Sequence, residues 1–306
     1  MRIRSVVLIL LFVSSAALAN TRSAVSVNGL DTNPCTTTSP CRSFGAAIAV
    51  TASGGEIIAL DSAGYGPFSI PTSLTISGAP GVHAAITVTS GTGISIAPSS
   101  TDRVTLRNLV LIGSGGADGI IQTVQSQSLN IFDCLVQGFS DNAIFVDDAD
   151  GAINIDRCAV IDNNGAYGVY VNGGIITPTR LTITNSNFVG DGIALYIGYN
   201  TDAAIVNTTV AGNPVYGIQA DNENGSFSST TQVVVENCTI DHNGTGVYSI
   251  AANLSNVAKI ALSQNVIAYN STATSTAGVG LISSFGNNRF VGNGVDGGPF
   301  PPVAFQ

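Results

Sequence analysis

Charge is scarce in this chain. Only 9% of its 306 residues are Asp, Glu, Lys or Arg, lysine occurs once, at Lys259, and tryptophan does not occur at all. Coiled coils and long solvated helices, which need many Glu and Lys residues, are excluded by that composition. What charge there is leans acidic, with nineteen Asp and Glu against ten Lys and Arg for a net charge of −9, so nucleic acid and anionic lipid are disfavoured as partners. His83 and His242 stand alone in their regions and make no triad. The five cysteines include no C-x2-C pair, which argues against a thiolate metal site.

Long apolar runs are missing too, except at the start. Arg2 and Arg4 precede the apolar run Val6 to Val13, and Ala17-Leu18-Ala19 lies just before Asn20. This is the pattern of a secretory signal peptide over residues 1–19, because the run is too short to span a bilayer and ends in small residues. No cysteine follows the cut, and no later segment holds 18 consecutive apolar residues. The expectation is an exported chain of residues 20–306, secreted or periplasmic, with no membrane insertion.

What the chain has is repetition. Gly93-Ile94, Gly119-Ile120, Gly168-Val169, Gly192-Ile193, Gly217-Ile218, Gly246-Val247 and Gly278-Val279 recur at intervals of 24 to 32 residues, with Ala143-Ile144 bridging the one gap. Self-similarity at such a period means one unit stacked on itself. Between the glycines run alternating apolar segments: Leu129 to Val136, Ile153 to Val160, Leu181 to Phe188, Val233 to Ile240 and Ile260 to Ile267. Period-2 alternation is the mark of strands, and each unit is too short for a crossover helix. Asp133, Asn185, Asn207, Asn237 and Asn287 fall where those segments bend; Asn163, Asn213, Asn243, Asn270 and Asn293 follow a few residues later. Asn tolerates left-handed backbone, and its amide can bond the rungs above and below.

The run Asn237-Cys238-Thr239-Ile240 through Asn243 to Gly246-Val247 resembles the repeat of the right-handed parallel β-helix family, the pectate-lyase-like superfamily. The resemblance covers roughly residues 40 to 293 and implies an all-β, single-stranded right-handed parallel β-helix of about nine coils. It implies little about activity, since that superfamily holds lyases, hydrolases, epimerases, adhesins and structural proteins.

The ends differ from the middle. Ser43 to Val50 reads as a short helix with Ser43 as N-cap, and Glu56 to Leu60 as the first strand, so residues 20–60 are expected to cap the open N-terminal coil. The Pro-rich tail 294–306 is expected to close the other end of a single domain. Cys35 and Cys41 are expected to form a local disulfide, as export allows. Cys134 and Cys158 share a repeat position in adjacent coils and read as buried thiols, though a bridge between them is also within reach.

Function on such a scaffold falls to outward side chains. Counting from each Gly-Ile/Val pair places Ser95, Ile121, Phe145, Tyr170, Ala194, Gln219, Tyr248 and Gly280 in a first outward row. Thr123, Asp147, Asn172, Tyr196, Asp221, Ile250 and Ile282 fall in a second. Phe145, Asp147, Tyr170, Asn172, Tyr196 and Asp221 would form one stripe of rings, amides and carboxylates. Rings stack on sugars while amides and carboxylates bond hydroxyls, which makes extracellular polysaccharide or a surface glycan the expected partner.

Two catalytic alternatives and one without chemistry stay open. Gly116-Ala117-Asp118-Gly119, Ser140-Asp141-Asn142-Ala143 and Ala166-Tyr167-Gly168 resemble the Asn-Thr-Asp-Gly, Asp-Asp-Cys and Gly-His-Gly motifs of the polygalacturonase family. That resemblance implies Asp118 and Asp141 as an acid and base pair for inverting hydrolysis, which needs carboxylates roughly 6.5 to 9.5 Å apart. The departures are Asn142 for an Asp, Tyr167 for a His, and no following Arg-x-Lys. Alternatively, Asp147, Asp148 and Asp150 would hold calcium for a polysaccharide lyase, yet no Lys or Arg aligns with them as the base. The last alternative is a structural or adhesive solenoid.

Overall fold

Most coils turn the corner from sheet A to sheet B on one residue with left-handed backbone. In the computed structural model, which describes residues 19–163, 167–175, 177–223 and 228–301 with only the backbone of 148 and 149, φ is 55° at Asp133, 51° at Asn185 and 52° at both Asn207 and Asn237. These residues divide each expected apolar segment into two strands, as in Ser128–Phe132 and Leu135–Gln137. Arg157 and Gln264 take the same corner with φ of 52° and 57°, and Asn287 instead accepts from the Gln264 N–H at 3.0 Å. All but the last residue of the expected signal peptide, Ala166 and the last five residues of the tail lie outside the described residues.

Three parallel sheets result. Sheet A has eleven strands from Asn20–Val25 to Leu281–Ser284, sheet B has ten short ones from Ala63–Gly64 to Arg289–Val291, and sheet C has nine from Phe68–Ile70 to Thr272–Gly278. Sheet C therefore counts about nine coils, as the repeat predicts. The register holds from coil to coil, stacking Ile57, Ile76, Leu106, Ile131, Ile155, Ile183, Ile205, Val235 and Leu262 in one column. Every member is fully buried. Removal of such apolar columns from water supplies the main driving force for stacking.

A second column corrects the repeat. Gly93, Gly119, Ala143, Gly168, Ala194, Gly217, Gly246 and Ala273 align, each just before the paired residues Ile94, Ile120, Ile144, Val169, Leu195, Ile218, Val247 and Thr274. Gly192 and Gly278, expected in it, are displaced by Ala194 and Ala273. What this position demands is smallness: a Cβ on Gly119 would stand 2.4 Å from the Ala143 carbonyl oxygen, and one on Gly246 2.7 Å from that of Ala273.

At the corner from sheet B to sheet C the expected asparagines form a buried ladder. The Asn213 N–H donates to Asn243 Oδ1 at 3.1 Å, that of Asn243 to Asn270 Oδ1 at 2.9 Å and that of Asn270 to Asn293 Oδ1 at 3.0 Å. Each rung thus satisfies backbone that the bend would leave unpaired. One rung is a carboxyl, Asp191, between Asn163 and Asn213.

The N-terminal end is covered by the helix Phe44–Val50, whose N-cap Ser43 accepts from the Ala46 N–H at 3.2 Å. Phe44 packs on the rings of Tyr65 and Phe68 at 5.2 and 4.8 Å. Strand Thr51–Ala59 follows at once and pairs with Asn20–Val25, so sheet A begins before the helix and not at Glu56. Cys35 and Cys41 are bridged, their Cα atoms 4.6 Å apart. Cys134, Cys158 and Cys238 are buried free thiols. No helix among the described residues is long and apolar enough to cross a membrane.

Candidate functional site

The outer face of sheet C carries the aromatic side chains in register. Ser95, Ile121, Phe145, Tyr170, Tyr196, Gln219 and Tyr248 form its first outward row. Tyr196 belongs here and not in the second row. Ala194 is fully buried, and Ser275 takes the place expected for Gly280, because the small column resets the count in those two coils.

The rings make contact. Phe145 stacks on Tyr170 with centroids 4.9 Å apart, and Tyr170 on Tyr196 at 4.4 Å with planes only 4° apart. Tyr167 meets Tyr170 and Tyr196 edge-on at 5.0 and 5.3 Å. Beyond Gln219 a second pair, Tyr216 and Tyr248, stacks at 4.6 Å. Sequence reasoning passed over Tyr216, although both it and Tyr167 immediately precede a glycine of the small column.

Beside the rings runs the second row, one residue past the paired Val146, Val171, Ile197 and Ala220: Asp147, Asn172, Gly198 and Asp221. Asn172 and Asp221 face outward yet are only 7% and 9% exposed, because their polar groups lie down along the sheet. Asn172 Nδ2 donates to the Tyr170 hydroxyl at 2.7 Å, and Gln219 Nε2 to Asp221 Oδ2 at 2.9 Å. Asp221 Oδ1 accepts from the Glu223 N–H at 2.9 Å. Gly198 gives room that the Asn172 side chain fills: Asn172 Oδ1 stands 1.7 Å from where a Cβ on Gly198 would be. Three buried acceptors here have no partner among the described residues, namely Asp147 Oδ1, Asn172 Oδ1 and Gln219 Oε1.

The electrostatics are one-sided. Burial pushes the Tyr170 hydroxyl up to about 12, with Asp147 adding to it and the Asn172 hydrogen bond opposing. Burial also raises Tyr196, reinforced by Asp221, and raises Tyr167, reinforced by Asp221 and Asp141. All three hydroxyls are therefore neutral across physiological pH. No strand of sheet C contains Lys or Arg. Arg103, Arg107, Arg180 and Lys259 all lie on strands of sheet A.

The catalytic candidates occupy unlike settings. Asp118 is 9% exposed, pairs in register with Asn142, and accepts from its Nδ2 at 2.8 Å. Asp141 is exposed at the preceding position of that coil. Among the calcium candidates, Asp150 accepts from Gln125 Nε2 and from the Thr177 N–H, while the Asp148 side chain lies outside the described residues. No three His, Cys, Asp or Glu residues converge as metal ligands among the described residues.

A concavity of about 850 Å³ lies elsewhere, on the outer face of sheet A where the Arg107 guanidinium lies 5.5 Å over Phe132. Its carboxylates are already paired, Glu56 with Arg22 at 3.1 Å and Asp133 with Arg157 at 2.7 Å. It also holds none of the unpartnered buried acceptors. Sheet C, an open platform, has the stacked rings and the unmet hydrogen-bonding capacity.

Three parallel sheets wound about one core, with polar ladders at the corners and a ringed outer face, define a right-handed parallel β-solenoid. The chain belongs to the family described as "Right handed beta helix region", whose model matches residues 118–295. No curated protein matches it. Among solved structures it is similar to the pectate lyase Pel9A, at a TM-score of 0.61 and 16% identity over 94% of this chain and 73% of that one. It is also similar to a rhamnogalacturonan lyase, at 0.55 and 12% over 81% and 74%. At such identities the likeness is one of fold.

Proposed function

We propose that this is an exported β-helix protein that binds extracellular polysaccharide through the outer face of sheet C. The observation that carries the reading is the Phe145–Tyr170–Tyr196 stack, three rings presented one per coil. Ring faces suit the apolar faces of sugars, and the adjoining amides and carboxylates suit hydroxyls. The fold neighbours are named as lyases of pectate and rhamnogalacturonan, which favours a polysaccharide over other partners.

Binding is preferred to cleavage for two reasons. Asp118, wanted as half of a hydrolytic pair with Asp141, is held by Asn142. A lyase of the Asp147, Asp148 and Asp150 calcium type would need a cationic base, and sheet C offers none. A glycan array followed by titration of Tyr170→Ala and Tyr196→Ala tests the proposal. Binding that survives both substitutions overturns it. Reducing ends or unsaturated products released from a polysaccharide panel, with or without calcium, would replace it with an enzymatic function.

A further inference from the structure

The concavity on sheet A is walled, floored and left with one unspent cation. Ile58, Ser77, Arg107 and Phe132 pair in register on successive strands to make its floor, with Thr75 and Thr105 in the neighbouring row. Residues 79–83 make its wall, taking the corner to sheet B where most coils use a single residue. Asn108 fixes that wall, its Nδ2 donating to the Gly78 and Ala79 carbonyl oxygens at 3.1 and 2.9 Å. Of the three charged side chains in the lining, Glu56 and Asp133 are answered by Arg22 and Arg157. Arg107 is not: its guanidinium has no hydrogen bond or ion pair among the described residues, and the Phe132 ring 5.5 Å away is what positions it.

We infer that this concavity is a second ligand site, on a face other than sheet C, and that it takes an aromatic carboxylate. A guanidinium presents its donors in a fork that matches a carboxylate, and charge-assisted bonds of this kind are the stronger ones. Ile58, Pro80 and the half-buried Phe132 give apolar contact to a ring, while the hydroxyls of Thr75, Ser77 and Thr105 can bond its polar substituents. A flat ring lies well on a floor made by a sheet, and it extends the stack that Arg107 begins on Phe132. A uronate would supply the carboxylate but set hydroxyls against Ile58 and Pro80. A bare phosphate would use Arg107 and leave the apolar lining wet.

Calorimetric titration of the chain with cinnamate, its methyl ester, galacturonate and inorganic phosphate at neutral pH tests this. Cinnamate should bind saturably. The ester, which keeps the ring and loses the charge, should bind at least about fivefold more weakly, the effect of ~1 kcal/mol. Arg107→Gln should remove that difference, whereas Arg107→Lys, a point charge without the fork, should keep part of it. Ser77→Leu, which fills the floor between Ile58 and Arg107, should abolish binding of acid and ester alike, with thermal midpoints checking that each variant folds. Equal binding of ester and acid, or galacturonate or phosphate binding as tightly as cinnamate, overturns the assignment. So does cinnamate binding that is absent, or that is unchanged in Arg107→Gln or Ser77→Leu. The groups tested all lie on sheet A, so these outcomes are independent of the saccharide reading of sheet C.

Discussion

Asn163 donates its side-chain amide to Asp191 Oδ1 across 2.9 Å, so a carboxyl fills a rung whose neighbours Asn213, Asn243 and Asn270 are amides. Asp191 is fully buried, and its Oδ2 has no partner among the described residues. By the geometry of the other rungs, that oxygen occupies the place of an Nδ2 that would donate to the next rung.

The ladder is therefore pH-sensitive at this point. Burial lifts the Asp191 pKa from 3.8 to about 7, against the opposing Asn163 hydrogen bonds. The folded state favours the protonated acid, so the stability contribution is whole below 3.8 and is lost as the pH rises through about 7. A shift of that size corresponds to on the order of 4 kcal/mol. Asp191→Asn should raise the thermal midpoint at neutral and mildly alkaline pH and flatten its pH dependence, measured by circular dichroism. An unchanged pH profile would show that Asp191 is not the titrating group.

The stacked rings make a graded prediction. Tyr170→Phe keeps the face and should retain saccharide binding within a fewfold, whereas Tyr170→Ala should lose about tenfold, in line with ~0.5–1.5 kcal/mol for an aromatic contact. Titration of both variants with the same oligosaccharide checks this. Equal losses would assign the role to the hydroxyl and its Asn172 hydrogen bond instead.

Asn243 is bonded on every side. It accepts from the Asn213 N–H and Nδ2, and it donates to the Val210 carbonyl oxygen at 3.0 Å and to Asn270 Oδ1 at 3.0 Å. Asn243→Ala should cost about 2–5 kcal/mol, because several buried groups lose partners at once. Denaturant unfolding would measure it, and a loss below 1 kcal/mol would show that neighbouring rungs compensate.

Gly119→Ala brings a methyl against the Ala143 carbonyl oxygen at 2.4 Å and Val136 Cγ1 at 2.9 Å. Overpacking of this kind costs roughly 1–3 kcal/mol. The same unfolding experiment applies, with Ala143→Gly as a partner substitution that relieves no clash and so separates crowding from chain flexibility.

The β-helix, its corners and its disulfide were legible in sequence because strand alternation, left-handed Asn and paired local cysteines each leave a local signature. The register was less so. The chain aligns on residue size and not on glycine itself, so Ala194 and Ala273 went unrecognised while Gly192 and Gly278 were counted, and Tyr196 was placed a row away from the rings it stacks on. Asn172 and Asp221 were expected to face solvent. Gly198 undoes that expectation, since the space left by its missing side chain lets the Asn172 amide lie down on the sheet. Tyr216, too, was overlooked: it precedes Gly217 as Tyr167 precedes Gly168, but its stacking on Tyr248 joins neighbouring coils and shows only once they are wound together.

The coil-to-coil register has a consequence for length. Parallel strands repeat at ~4.8 Å, and the stacked rings on sheet C repeat at 4.9 and 4.4 Å, so on the proposed reading a bound polymer would meet rings at a fixed step. Duplicating the coil that carries Tyr170 would lengthen the track by one step without disturbing the rest. Excising the coil that carries Gln219 would join the Phe145–Tyr170–Tyr196 run to Tyr248. If the face binds a polymer as proposed, its reach is set by how many coils present a ring, a quantity that changes in whole steps.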